Sequence, residues 1–225
     1  MRRLLLVLTL VAVALAVSAQ TKMVGSEPPF RPAEARAVTD LTIPITSIAS
    51  GTVVLNALVS ETGTVQRVEV RRGIPSLTEP AASAVAGWTF SPATFRDKPV
   101  ASRVPVAVTV RPPVAFATSL PLPPLEPRTE RDIQAAFQPP LVLRASFPNG
   151  APMSIGGDVT VVLEGSVGTA GEVQDLKVLR DVPAATSFAS AAIESWRFQS
   201  AAWEGQPVKS TIILVFVFRP AIFYP

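Results

Sequence analysis

Cysteine and histidine are both absent from the 225 residues of this chain. Without them there is no disulfide, no thiol or imidazole nucleophile or base, and no His/Cys metal site. The glutamates are scattered and form no evident pair for acid–base work, and no glycine-rich phosphate loop follows a strand. We therefore expect a protein that is not an enzyme, that uses no metal or cofactor, and that is stabilised by apolar burial.

A large excess of charge of one sign is also missing. The chain has 20 Lys and Arg residues against 17 Asp and Glu residues, a formal net charge of +3. Arg2 and Arg3 supply two of these positive charges, so the rest of the chain is almost neutral. Because no basic stripe and no run of like charge remains, nucleic acid is not expected as a partner.

The N-terminus has the pattern of a secretory signal peptide. Arg2 and Arg3 precede an apolar run over residues 4–17, and Ser18 and Ala19 offer small residues before a cleavage point. The run is shorter than the roughly 20 apolar residues of a membrane span. We predict a signal peptide at residues 1–19. If the segment is retained instead, it tethers the protein to the inner membrane, and both alternatives place the rest of the chain outside the cytoplasm.

The remainder of the chain contains an internal repeat, in which residues 52–111 align with residues 160–219. Within this alignment 21 positions hold the same residue in both copies. The alignment needs no gap, so the sequence indicates a duplication. The resulting organisation is an N-terminal lead-in at residues 20–50, a first module at 51–111, a Pro-rich linker and lead-in at 112–156, and a second module at 157–220.

Each copy has the pattern of a small β-β-α-β module. Two β-branched runs flank a turn with glycine at its third position, Gly63 or Gly171, which is typical of a hairpin. Apolar residues at helical spacing follow, with Thr78 and Thr186 as the expected helix caps. The short helix makes the third strand parallel to the second, so the third strand pairs antiparallel with the first. The expected fold class is α+β, with two tandem β-β-α-β modules, each a three-stranded antiparallel sheet with a helix on one face.

The residues after the helix resemble the C-terminal domain of TonB-type energy transducers, of the TonB/TolA-like superfamily. The first copy carries Trp88-x-Phe90-x-Pro92-Ala93-x-Phe95 and then Pro99-Val100, and the second carries Trp196-x-Phe198, Ala201 and Pro207-Val208. The resemblance covers both copies. It implies a periplasmic protein, and it implies an interaction in which a short segment of an outer-membrane transporter adds a strand to the sheet of the domain.

The third strand of the second copy is the predicted partner site. As an outer strand it would have free backbone N–H and C=O groups, which can accept an extended peptide as an added strand. Pro105 removes one donor from the corresponding strand of the first copy, whereas the second copy has no proline there and is apolar on both faces. The candidate partner-strand edge consists of Ser210, Ile212, Ile213, Leu214, Val215 and Phe216.

The sequence thus predicts a periplasmic TonB-like protein-interaction module that binds a partner peptide by strand addition and supports TonB-dependent outer-membrane transport. The alternative is a structural or scaffold protein whose paired modules self-associate, with no transport role. In that alternative the third strand is the surface on which the two copies or two chains pack. A further alternative is that residues 20–50 or the linker cover the edge.

Tryptophan and arginine side chains give two further expectations. Trp88 and Trp196 are expected to close the core beneath the helix, with a partner-binding surface as the alternative. Trp203 is expected in a loop. Arg71, Arg72 and Arg180 are expected to be solvated ends of the hairpins, with a grip on a carboxylate as the alternative.

Overall fold

A computed structural model describes residues 30–44, 47–111, 121–128, 135–150 and 156–220 of the protein. The signal peptide predicted at residues 1–19 lies outside this part of the chain. The described residues form a mixed α+β structure that is mostly sheet and has two helices. We refer to residues 30–111 as the first half and to residues 135–220 as the second half.

The two halves have the same sequence of elements. The first half contains, in chain order, β1 (Phe30–Arg31), β2 (Glu34–Ala37), β3 (Gly51–Val59), β4 (Val65–Arg72), α1 (Pro75–Ala86), β5 (Thr89–Ser91), β6 (Ala93–Phe95), β7 (Lys98–Val100) and β8 (Ser102–Arg111). The second half contains β9 (Phe137–Gln138), β10 (Leu141–Arg144), β11 (Val159–Val167), β12 (Val173–Arg180), α2 (Pro183–Ile193), β13 (Arg197–Gln199), β14 (Ala201–Trp203), β15 (Gln206–Val208) and β16 (Ser210–Phe218).

Six of these strands form one sheet, in the order β12-β11-β16-β8-β3-β4. Within each half the order is second, first and third strand, as the sequence predicts. The third strands β8 and β16 then pair with each other in parallel, and the other neighbours are antiparallel. The two expected three-stranded sheets are therefore parts of one six-stranded sheet, because the two third strands pair with each other and join the halves.

Because of the register of this parallel pair, equivalent residues of the two halves lie on opposite faces of the sheet. In the repeat Val106 is equivalent to Leu214, but in the sheet Val106 pairs with Ile213, one position earlier. Paired side chains point to the same face of a sheet, so a shift of one residue sends equivalent side chains to opposite faces. Val106 faces α1, whereas Leu214 faces α2. The two helices consequently cover opposite faces of the sheet.

The sheet separates two apolar layers, and each layer draws on both halves. The layer beneath α1 combines residues of the first half with residues of the second, among them Val162, Ile213, Val215 and Val217. The layer beneath α2 belongs to the second half, together with Val54 and Ala107 from the first. This arrangement explains why β16 is apolar on both faces: one face packs under its own helix and the other under α1.

The hairpin glycines adopt the conformation that the sequence predicts. Gly63 and Gly171 have φ values of +85° and +84°, in the left-handed region that favours glycine. The Gly63 carbonyl oxygen accepts a hydrogen bond from the Phe90 N–H (2.8 Å), and the Gly171 carbonyl accepts one from Phe198 (3.2 Å). Each turn is therefore attached to the short strand that follows the helix of its own half.

The helices begin earlier than predicted, at Pro75 and Pro183. Proline is well placed in the first turn because the first helical N–H groups have no partner within the helix. Thr78 is not a cap but lies in the first turn, where its Oγ1 accepts from the Ile74 N–H (2.8 Å) and donates to the Ile74 carbonyl oxygen (2.9 Å). Thr186 makes the same two contacts with Val182.

Short strands form two three-stranded sheets, β1-β6-β7 and β15-β14-β9, that meet through aromatic rings. Phe30 stacks on Phe137 and Phe95 stacks on Trp203, each with ring centroids 4.6 Å apart. The expectation that Trp203 lies in a loop was therefore wrong, since it belongs to β14 and is half-buried in this stack. The stack is a second contact between the halves.

Candidate functional site

The residues predicted as a free edge lie in the interior of the sheet. β16 has β11 on one side and β8 on the other, and Ile213 to Phe218 pair with both neighbours. The side chains are at most 1% exposed for all six candidates: Ser210, Ile212, Ile213, Leu214, Val215 and Phe216. The prediction of an open edge here was wrong because the third strand of the first half occupies it. The sequence also offered the alternative that the two copies pack on each other at the third strand. The pairing of β8 with β16 agrees with that alternative.

Pro105 limits the length of the parallel pair. The pairing of β8 with β16 begins at Val106 and continues to Arg111. Proline has no N–H, so Pro105 cannot donate a hydrogen bond to a neighbouring strand. Pro105 still faces Asn56 of β3 on its other side. The proline expected to weaken an edge thus lies directly before the first residue of the joint between the halves.

The outer edge of β4 is partly covered by the described piece of the Pro-rich linker, residues 121–128. The Glu126 N–H donates to the Arg71 carbonyl oxygen (2.8 Å), and Arg71 Nη1 donates to the Pro127 carbonyl oxygen (3.4 Å). The guanidinium of Arg72 donates to the carbonyl oxygen of Pro123. Burial lowers the pKa of Arg72, and the nearby charge of Arg71 lowers it further. These arginines are therefore linker anchors rather than solvated hairpin ends.

The remaining arginine of that group contacts a carboxylate. Arg180, at the end of β12, forms an ion pair with Asp40 of the first half. The side chains are 36% and 70% exposed, so the pair adds little to stability, in the range of about 0–1 kcal/mol for surface salt bridges. Arg180 thus binds a carboxylate, as the alternative from the sequence expected, but this carboxylate is the side chain of Asp40 in the same protein.

Within the six-stranded sheet, the outer edge of β12 is the edge that stays open among the described residues. β12 pairs with β11 on one side, and no described strand pairs with its other side. Leu176 and Val178 on this strand are 41% and 46% exposed. Their equivalents in β4, Val68 and Val70, are half-buried and pack against the core because α1 lies on β4.

A groove lies between this strand and α2, with a volume of about 450 Å³. α2 packs on β11 and leaves space beside β12. Val173, Leu176 and Ile193 supply apolar surface to the groove, and polar side chains form its rim. The groove residues are Glu172, Val173, Leu176, Ser187, Ser190, Ala191, Ile193, Glu194, Trp196 and Arg197. An open strand edge beside an apolar groove is an arrangement that can bind an extended peptide.

Another cleft, of about 440 Å³, lies where β1 passes over the second half. Four of its charged groups form two pairs: Lys177 Nζ lies 3.6 Å from Glu164 Oε1, and Lys209 Nζ lies 3.0 Å from Asp175 Oδ2. Glu164 is buried and its Oε2 accepts a hydrogen bond from the Ala35 N–H (2.6 Å). We assign Glu164 a structural role in attaching the start of the first half to the second.

Trp88 and Trp196 lie in the core, at 2% and 1% exposure. Trp196 Nε1 donates to the Ser146 carbonyl oxygen (3.2 Å), whereas the buried Trp88 Nε1 has no hydrogen-bond partner in the described part of the chain. No group of three or more acidic side chains that could hold a metal ion occurs among the described residues. The two described helices are too short or too polar to cross a membrane.

Residues 47–111 match the family model described as the Gram-negative bacterial TonB protein C-terminal. The first half thus contains a TonB C-terminal-like domain. This domain comprises β3, β4, α1 and the strands from β5 to β8, and the match supports a role in protein interaction. No curated protein and no solved structure matches the chain.

The β12 edge was missed from the sequence, although one signal for it is present. The apolar pattern is the same in both halves, Val65, Val68 and Val70 against Val173, Leu176 and Val178, so periodicity does not distinguish them. The signal lies at two positions near the strand. Thr64 and Thr89 of the first half are uncharged, whereas their equivalents in the second half are Glu172 and Arg197, which are charged. β12 is uncovered because α2 packs on β11 rather than on β12, and this packing depends on contacts between elements that the local sequence pattern does not show.

Proposed function

We propose that the chain consists of two tandem TonB C-terminal-like modules, of which the second has diverged beyond the match to the family model. The order of elements supports this, since every strand and helix of the first half has a counterpart in the second. The strand orders β4-β3-β8 and β12-β11-β16 are equivalent. The gapless alignment of residues 52–111 with residues 160–219 supports it from the sequence side.

The proposed function is that of an exported, periplasmic protein-interaction module that binds an extended segment of a partner protein by strand addition. The observation that carries the proposal is the open outer edge of β12, with Leu176 and Val178 exposed beside it. Backbone hydrogen bonds along such an edge supply affinity, and side chains that alternate along the added strand supply specificity. The resemblance to TonB makes a segment of an outer-membrane transporter the first partner to test, and support of transport the proposed role.

A second candidate function is a scaffold that self-associates without any transport role. The β8–β16 pair favours it, because strand-edge association between two such modules already occurs within the chain. A second copy could extend the sheet further at β12. A C2 dimer of this kind would place the two β12 strands antiparallel.

Affinity capture separates the two candidates. The mature protein would be used on outer-membrane and periplasmic fractions, beside a Leu176→Lys/Val178→Lys variant and a Leu125→Lys control. Leu125 is as exposed as Leu176, at 42%, and lies in the linker segment at the opposite edge of the sheet. We expect a transporter segment to be retained by the wild type and the control and lost by the double variant.

Two outcomes would count against this proposal. Equal retention by all three proteins would show that β12 is not the site, and retention of no transporter would remove the transport role. A concentration-dependent dimer in analytical ultracentrifugation that the double variant lacks would favour the scaffold instead. N-terminal sequencing of the exported protein tests cleavage after Ala19.

A further inference from the structure

The groove beside β12 belongs to the second half, and two of the residues that line it differ from their equivalents in the first half. In the first half Thr64 forms a β-bridge with Thr89, which joins the start of β4 to the strand after the helix. The equivalent positions in the second half hold Glu172 and Arg197. No such bridge joins these two among the described residues, and both line the groove.

Two carboxylates, those of Glu172 and Glu194, line this groove. Glu172 lies before the start of β12 and Glu194 at the C-terminal end of α2, and both residues are exposed. The C-terminal end of a helix carries a partial negative charge, and α2 has no basic residue in its last turn to balance it. A carboxylate at that position is unfavourable for the helix alone, so a cation bound beside Glu194 would stabilise it.

Arg197 is the one basic side chain among the groove residues, and its guanidinium is directed to the main chain. Its Nη1 donates to the carbonyl oxygens of Glu194 (2.9 Å) and Trp196 (2.6 Å). Gln174 Nε2 donates to Glu172 Oε1 at 2.5 Å, and Gln174 carries no charge that could balance this carboxylate. With two carboxylates and one guanidinium, the groove keeps a net negative charge.

We propose that this groove recognises the side chains of the segment that adds to β12. An apolar side chain of the segment packs on Val173, Leu176 and Ile193, and a lysine or arginine binds between Glu172 and Glu194. The partner is therefore an extended peptide that combines apolar and basic residues. This inference rests on the proposed strand addition, because a segment on the β12 edge runs beside the groove and presents alternate side chains to it.

Selection from a displayed library of random peptides, each long enough to span β12, tests the inference on the full mature protein. The wild type is compared with a Glu172→Gln/Glu194→Gln variant, which keeps the shape of the groove and removes both charges. We expect the wild type to select peptides with alternating apolar residues and a Lys or Arg. A synthetic peptide of the selected consensus should bind the variant about 3- to 10-fold more weakly at low salt, and the difference should shrink as salt is raised.

A matched pair of tryptophan variants tests whether the peptide occupies the groove itself. Ala191→Trp fills the groove from the exposed face of α2, and Ser83→Trp places the same ring at the equivalent exposed position of α1. We expect Ala191→Trp to weaken binding of the consensus peptide by about tenfold or more. Ser83→Trp should leave binding unchanged, and circular dichroism checks that both variants fold.

The outcomes distinguish this inference from the proposed function. If peptides are selected without a basic residue and bind the glutamine variant as well as the wild type, the charge recognition is wrong while strand addition stands. If the wild type selects no peptide, strand addition fails and this inference fails with it. A dimer that binds no peptide and is lost on Leu176→Lys/Val178→Lys assigns the edge to a second copy and overturns both.

Discussion

Gly171 and Gly205 have similar positive φ values, +84° and +81°, but different surroundings. A Cβ at Gly171 would lie 2.1 Å from the carbonyl oxygen of Phe198, whereas a Cβ at Gly205 would meet no atom within 4 Å. A left-handed conformation costs a non-glycine residue about 1–2 kcal/mol. Gly171 therefore satisfies two requirements, the turn conformation and the close approach of β13, and Gly205 satisfies only the first.

This difference predicts unequal effects of one substitution. Gly205→Ala should lower the free energy of unfolding by about 1–2 kcal/mol, and Gly171→Ala by about 3 kcal/mol or more because the Phe198 backbone must also move. Urea unfolding followed by circular dichroism measures both. Equal losses would show that β13 does not approach the turn as closely as described.

Glu164 is the buried carboxylate that stands where the first half has Asn56. It holds the Ala35 N–H of β2 and faces Lys177. Glu164→Ala leaves that N–H without its acceptor, and we expect a loss of about 1–3 kcal/mol in the free energy of unfolding. Glu164→Gln keeps an acceptor oxygen and should lose less. Chemical denaturation of the three proteins gives the order, and a larger loss for Gln than for Ala would contradict this role.

At the scale of elements, the hairpins, the helices and the strand order of each half follow from the sequence. They depend on local signals: β-branched runs, a glycine at a fixed turn position, and apolar residues at helical spacing. The β8–β16 pair does not follow from such local signals. The edges of two third strands can remain free, pair with each other or be covered by another segment, and the local sequence does not distinguish these arrangements. The signal for pairing was the second apolar face of β16, with Ile213, Val215 and Val217, which needs a covering layer from elsewhere.

That covering layer gives a prediction for β16. Val215→Thr keeps the shape of the side chain and places a hydroxyl in the layer beneath α1. Burial of an unpaired hydroxyl costs about 1–3 kcal/mol, and we expect the free energy of unfolding to fall by that amount. Val178→Thr, at a 46% exposed position on β12, is the control and should change it by less than about 0.5 kcal/mol. If both variants were equally stable, the reverse face of β16 would not be buried.

At the scale of the whole molecule, the shared layers make the two halves depend on each other. Neither half can lose its strands without exposing apolar side chains of the other, because Val215 packs beneath α1 and Ala107 beneath α2. We expect a single unfolding transition, in which tryptophan fluorescence and far-ultraviolet circular dichroism give the same midpoint. Gly63→Ala and Gly171→Ala should both shift that one transition. Two transitions, each moved by only one of these variants, would show that the halves unfold separately.

The parallel joint also sets an order of events during synthesis. Val106 leaves the ribosome long before its partner Ile213, because almost the whole second copy lies between them in the chain. At about 5–20 residues per second, β8 is synthesised roughly 5–20 s before the strand that completes its edge. Until β16 is available, the β8 edge of the first half has no partner on that side and is open to pairing with other chains. Pro105 shortens the vulnerable stretch, so the residue that limits the joint in the finished molecule also protects its precursor.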